Sequence, residues 1–211
     1  MRGTKVSPTI GSYLCVICHR ILQANEGPPE LEIRHKFAAL LPELPINEVV
    51  AAYTFIQDSP IQSLIHAFKY EAMPRLATSL GRDIAYYFMP PKIECIVPVP
   101  LHRTRLAERG YNQAEALARG LARESKAKVV HAVKRIRPTP SQTQLSISER
   151  VENVRGAFAL THNASSIKDK HVLIVDDVMT TGSTLASVAE TVLEARPKRI
   201  SILTLALAQR A

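Results

Sequence analysis

Cysteine is scarce in this chain of 211 residues. Three cysteines do not make a disulfide framework, and Cys95 falls on an expected strand, so a reducing cytoplasm is the expected compartment. Long apolar runs are also missing, which excludes insertion into a membrane through a spanning helix. The positively charged start, Met1-Arg2-Gly3-Thr4-Lys5, is not followed by the apolar stretch of about 7–15 residues that a secretory signal needs. Aromatic residues make up 5% of the chain, and between Leu101 and Arg155 Tyr111 stands alone. That stretch therefore offers no stacking platform for single-stranded nucleic acid, although a groove that tracks phosphates does not need one. No G-x-x-x-x-G-K-[ST] occurs, and no internal repeat or low-complexity tract. Acidic residues are outnumbered, 19 against 27 Lys and Arg, for a net charge of +8. Between Leu101 and Arg155 the count is 12 basic against 5 acidic, a surplus of 7, so nearly all the imbalance lies in one segment. An anionic partner is expected there, with a merely basic surface as the alternative.

What remains is an ordinary composition, large enough for one α/β core and a small appendage. Its most telling stretch is Val172-Leu173-Ile174-Val175-Asp176-Asp177-Val178-Met179-Thr180-Thr181-Gly182-Ser183-Thr184. Val172 to Val175 read as a buried parallel strand, being short, aliphatic and uninterrupted. From about Thr184 the pattern is that of an amphipathic helix closed by Arg196 and Pro197, with Ser183 or Thr184 as N-cap. The loop between them lies where open α/β sheets bind ligands. Amides at a helix start, with the helix dipole behind them, suit a phosphate. Thr180, Thr181, Ser183 and Thr184 add hydroxyls, and Gly182 removes a Cβ from the approach. Asp176 and Asp177, just upstream, accept hydrogen bonds from vicinal sugar hydroxyls. Together they describe a ribose 5-phosphate site. The metal-binding strand of a P-loop enzyme is excluded by the missing P-loop, and a receiver domain by the Thr/Gly/Ser/Thr loop. A buried strand with solvated acids and a capped helix is the plain structural alternative.

Along the chain, residues 1–48 are expected to form an irregular N-terminal region and residues 49–211 one α/β domain. Strands are expected at 49–57, 93–97, 129–136, 154–160, 172–175 and 200–206. Helices are expected at 60–70 (capped by Asp58 or Ser59), 74–87, 111–125 and from 184. Such alternation predicts a mostly parallel sheet covered on both faces.

Two further stretches carry charge at the same sheet edge. After Val97-Pro98-Val99-Pro100, Arg103, Arg105 and Arg109 precede the next helix, and guanidinium forks suit pyrophosphate. Lys134, Arg135 and Arg137 open a polar, proline-marked loop, from Thr139 to about Ile147, of the kind that closes over ligands.

These stretches, with Ile65-His66-Ala67-Phe68-Lys69-Tyr70, Arg109-Gly110-Tyr111-Asn112-Gln113, Ser141-Gln142 and Asn153-Val154-Arg155-Gly156-Ala157-Phe158, resemble the ComF family of competence-associated, phosphoribosyltransferase-like proteins. The resemblance covers roughly residues 49–206. It implies a type I phosphoribosyltransferase fold and Mg²⁺-assisted binding of phosphoribosyl pyrophosphate (PRPP), with the metal chelated by PRPP itself. It also implies a role in the uptake or processing of transforming DNA, with DNA-uptake proteins and single-stranded DNA as candidate partners. On that template Thr180 to Thr184 hold the 5′-phosphate, Asp176 and Asp177 the ribose hydroxyls, and Arg103, Arg105 and Arg109 the pyrophosphate. Lys134, Arg135 and Arg137 close over the leaving group, and a working transferase acting on a base or amine is the alternative function. Many members of the family begin with two C-x-x-C pairs that bind zinc. Here Cys15 and Cys18 form a single pair, with His19 and His35 nearby, so zinc is not expected.

Overall fold

Strand β7, Arg199–Ala208, lies between two parallel neighbours and is buried along almost its whole length. A strand covered on both faces reads as a continuous apolar run, and Ile-Ser-Ile-Leu-Thr-Leu-Ala-Leu is such a run. The structure is a computed structural model that describes residues 45–55, 60–71, 73–138 and 156–208. Its main sheet has the order β1-β7-β6-β2-β3, with β1 at Ile46–Phe55, β2 at Cys95–Pro98, β3 at Lys128–Val129 and β6 at His171–Met179. Every pairing in it is parallel. This is the fold class expected, a mostly parallel sheet flanked by helices.

Helices α1 (Pro60–Tyr70), α2 (Pro74–Phe88) and α4 (Gln113–Ser125) cover one face. Ile61, Leu80 and Leu117 pack there on Ile96, Leu173 and Leu203. Helices α2 and α4 approach at Gly81 and Gly120, where a Cβ on either would run into the backbone of the other helix. The opposite face carries α5 (Ser183–Leu193), a 3₁₀ turn at His162–Ile167 and a hairpin of β4 (Val133–Arg135) and β5 (Phe158–Leu160). Leu185, Val188, Ile167 and Phe158 close that core over Val97, Ile174 and Ile202.

Several boundaries differ from those expected. The strand expected at 129–136 is two strands in two sheets, because the chain leaves β2 after Val129 and crosses to the α5 face. Thr161 secures the crossing: its Oγ1 donates to the His131 carbonyl at 2.6 Å and its N–H to that of Ala132 at 2.9 Å. Between Pro100 and Gln113 lies an unexpected helix, α3 (Arg103–Arg109), which buries none of its residues. Local hydrogen bonds sustain it. His102 Nδ1 accepts from Thr104 N–H, and Gly110, at φ 74°, donates to the Leu106 carbonyl. Strand β6 runs past Val175 to Met179, because Asp176, Val178 and Met179 stay in register with Thr204, Ala206 and Leu207. The N-cap of α5 is Gly182, without a side-chain cap bond, rather than Ser183 or Thr184. Asn112 caps α4, which starts at Gln113. Strand β2 ends at Pro98, β5 begins at Phe158, and β1 begins at Ile46, three residues before the expected domain boundary. Cys15, Cys18, His19, His35, Asp58, Ser59 and residues 139–155, with the loop expected from Thr139 to about Ile147, lie outside the described residues. No helix among the described residues is long and apolar enough to cross a membrane.

Candidate functional site

The carboxyl ends of β2 and β6 are tied together beyond their last paired residues. Val99 N–H donates to the Val175 carbonyl at 2.9 Å, and Asn112 Nδ2 donates to the Val99 carbonyl at 3.0 Å. Asn112 Oδ1 also accepts from Ala114 N–H, so one side chain caps α4 and pins the exit of β2 beside the end of β6.

Four residues beyond Asp177 the chain turns at Thr181-Gly182, with Gly182 in the left-handed region at φ 83°. A shallow, open depression lies here, lined by Asp176 and by Val178 through Leu185. Thr181 Oγ1 and Ser183 Oγ are 2.9 Å apart, and Ser183 N–H is 3.5 Å from Thr181 Oγ1. Ala186 N–H returns to the Gly182 carbonyl at 2.8 Å, so the intrahelical ladder of α5 starts there and the amides before it have no acceptor within the helix. Gly182 and Ser183 are buried, Thr181 and Thr184 half-buried, and Thr180 exposed.

The two aspartates diverge. Asp176 lines the depression, and its Oδ1 accepts from Asp177 N–H at 2.9 Å. Asp177 Oδ1 accepts from Val178 N–H at 2.8 Å, while its Oδ2 is buried, has no hydrogen-bond partner, and lies 3.9 Å from Lys69 Nζ of α1. Burial holds the Asp176 carboxyl well above the usual carboxylate range, and the charge of Asp177 adds to the effect. The Asp177 amide and Lys69 pull the other way.

Basic groups gather around this pair. Arg135 stacks over the Phe158 ring, 5.5 Å from its centre, and burial lowers its pKa while the field of Asp176 raises it and that of Arg105 lowers it further. Tyr111 is pushed up to about 12, first by burial and then by the charge of Asp177, with Arg109 opposing. Arg105 pairs with Glu108 at 2.9 Å along α3, and Arg109 donates to Gln113 Oε1 at 3.2 Å. The fold thus brings Asp176, Asp177, the 180–184 loop, Arg105, Arg109 and Arg135 to one sheet edge. Arg103, Lys134 and Arg137 are exposed residues of the same two segments.

Sequence reasoning gave no role to Lys69, Asn112 or Tyr111, although all three lie in stretches it singled out. Lys69 carried a readable signal, because it follows Ile61 and Ile65 at steps of four, where an apolar residue belongs.

The turn at this strand–helix junction, set beside two carboxylates, lies within the part of the chain that sequence relationships cover. Residues 106–211 match the family described as "Phosphoribosyl transferase domain". The chain belongs to that family. This phosphoribosyl transferase domain protein is similar to "Competence protein F" of Haemophilus influenzae, at 34% identity over 139 residues, covering 62% of this chain and 61% of that protein. It is also similar to "DNA utilization protein YhgH" of Escherichia coli K12, at 34% identity over 142 residues, covering 64% of this chain and 61% of that protein. "Competence protein ComFC" of Bacillus subtilis is 23% identical over 188 residues, 88% of this chain and 73% of that protein. The chain thus spans about three fifths of the length of the first two relatives.

Asp177 Oδ2 is a buried oxygen without a hydrogen-bond donor, and among the described residues no group of three or more His, Cys, Asp or Glu is able to hold a metal by itself.

Proposed function

We propose that this phosphoribosyl transferase domain protein binds PRPP together with Mg²⁺ at the carboxyl edge of its sheet and serves the handling of DNA in natural competence. The observation that carries the first half is the pairing of the 180–184 turn with the adjacent carboxyls of Asp176 and Asp177. In this reading the amides of Gly182 to Leu185 and the hydroxyls of Thr181, Ser183 and Thr184 hold the 5′-phosphate, with Thr180 at the mouth. Asp176 and Asp177 accept from the ribose 2′- and 3′-hydroxyls. Arg105 and Arg109, with Arg103 beyond them, face the pyrophosphate. Mg²⁺, chelated by the phosphates, supplies charge neutralisation when bound. The names of the similar proteins from H. influenzae and E. coli support the second half. The scarcity of cysteine supports a cytoplasmic location.

Calorimetry with PRPP tests the binding. Affinity should depend on Mg²⁺ and be lost when Asp176 and Asp177 are both replaced by Ala in a protein that keeps its circular dichroism. An unchanged affinity in that folded double variant contradicts the assignment.

The surplus of 7 positive charges between Leu101 and Arg155 supports weak contact with single-stranded DNA. Binding should fall with salt, with a logarithmic slope of about −0.7 per neutralised phosphate, and PRPP should compete because the arginines are shared. Binding indifferent to salt, or none at low salt, removes DNA as a direct ligand.

A second reading, a working transferase, draws on Arg135, a half-buried residue of β4 that feels the charge of Asp176. Lys134, Arg135 and Arg137 would then stabilise pyrophosphate as it leaves C1′ with the bonding electron pair, while the acceptor's lone pair forms the new C1′ bond. Labelled PRPP incubated with a panel of bases and amines distinguishes the two. Acceptor-dependent release of pyrophosphate identifies the enzyme, and its absence leaves a binding protein.

A further inference from the structure

Helix α1 turns one row of side chains toward the sheet. Ile61 and Ile65 are its first two members, 0% and 4% exposed, and the second step of four residues brings Lys69. A lysine in an apolar row lays its methylenes along the core and carries its ammonium to the edge. Here the edge is the end of β6. Lys69 Nζ lies 3.9 Å from Asp177 Oδ2, with side-chain exposures of 27% and 14%.

The two oxygens of Asp177 are treated differently. Oδ1 takes the Val178 N–H at 2.8 Å, whereas Oδ2 is buried with no hydrogen-bond donor. A separation of 3.9 Å gives Oδ2 a counter-charge but exceeds the range of an N–H···O bond. Oδ2 therefore has a counter-charge nearby that does not hold it in a hydrogen bond.

The other charged or titratable groups around the pair do not duplicate this role. On the same strand the Asp176 and Asp177 carboxyls repel each other as anions and meet in a side-chain hydrogen bond, and both effects raise Asp176. Tyr111, at the approach to α4, is held neutral up to about 12 and contributes no cation. Arg109 is engaged with Gln113 Oε1, and Arg135 of β4, with Arg105 behind it, faces Asp176.

We propose that Lys69 is a positioning residue of the phosphoribose site, whose ammonium balances the charge of the aspartate pair beside the depression. The proposal rests on the PRPP-binding reading above for the identity of the ligand that the pair serves. It extends the site to α1, an element outside the residues matched by the family.

Lys69→Met preserves chain length and the methylene packing while removing the ammonium, and Lys69→Arg keeps a cation. In the ligand-free full chain, carboxyl carbon NMR should find Asp176 titrating at higher pH in Lys69→Met than in the unaltered protein, and returned toward it in Lys69→Arg. With Mg²⁺-PRPP, Lys69→Met should bind about tenfold more weakly, equivalent to about one unit of differential protonation, and Lys69→Arg should recover most of the loss. An Asp176 titration indifferent to Lys69→Met overturns the proposal. So does unchanged PRPP affinity in Lys69→Met when the unaltered protein binds. If the unaltered protein fails to bind PRPP, the function proposed above falls, and the titration, which needs no ligand, still decides whether Lys69 governs the pair.

Discussion

Replacing Asp176 with Asn should stabilise the fold, and by an amount that grows with pH. Burial and the neighbouring Asp177 raise the Asp176 carboxyl well above its unfolded value. Between the unfolded value of about 4 and the raised native one, the folded protein keeps a proton that the unfolded chain has lost. Raising pH through that window therefore favours the unfolded chain, and the contribution of this group to stability declines. One proton limits the slope to about 1.4 kcal/mol per pH unit. Asparagine carries no such proton, yet its Oδ1 can still accept the Asp177 N–H that Asp176 receives at 2.9 Å. The difference in unfolding free energy, variant minus unaltered protein, should be flat below about pH 4, climb by up to about 1.4 kcal/mol per unit, and level off above the native value. For a domain of this size that corresponds to about 3–6 °C in Tm per pH unit. Thermal and urea unfolding of both proteins from pH 4 to 8 measure it, and other titrations largely cancel in the difference. A difference that stays constant with pH, or that falls as pH rises, refutes the argument. The gain in stability should come with weaker PRPP binding.

Two more outcomes follow from the packing. Gly81→Ala would drive a methyl into the Leu117 carbonyl and Gly120→Ala into the Thr78 carbonyl, so each should destabilise by at least about 1–3 kcal/mol in urea unfolding, despite the better helix propensity of Ala; unfolding free energies that rise instead would mean that α2 and α4 do not meet at these glycines. Tyr53, buried and near Asp83, and Tyr111 are both pushed up to about 12, so ultraviolet titration should show a late component that Tyr53→Phe and Tyr111→Phe each reduce, and loss of signal near 10 in either variant would contradict the assigned surroundings.

The signature from Val172 to Thr184 was legible because it is covered on both faces and turns abruptly polar. Its polarity also concealed how far β6 extends. Asp176 and Asp177 look like the end of a strand, yet the ladder to β7 continues through Met179. Helix α3 left no periodic trace because none of its residues is buried and its ends are set by His102 and Gly110. The stretch from Val129 to Ile136 gave no sign of its division, since apolar residues of both halves are partly buried, Val129 against β2 and Val133 against the α5 face. Thr161, thirty residues away, holds the crossing. Lys69 escaped for a related reason. A lysine interrupts an apolar row in sequence, and its meaning appears once α1 lies against the end of β6.

The most direct test of a phosphate cradle at the start of α5 is an amide NMR titration of the full chain with ribose 5-phosphate. The account predicts saturable shifts centred on Gly182, Ser183, Thr184 and Leu185, with smaller shifts at Asp176 and Asp177, and their loss when Gly182 is replaced by Val. Shifts centred elsewhere, or none at millimolar ligand, would contradict it.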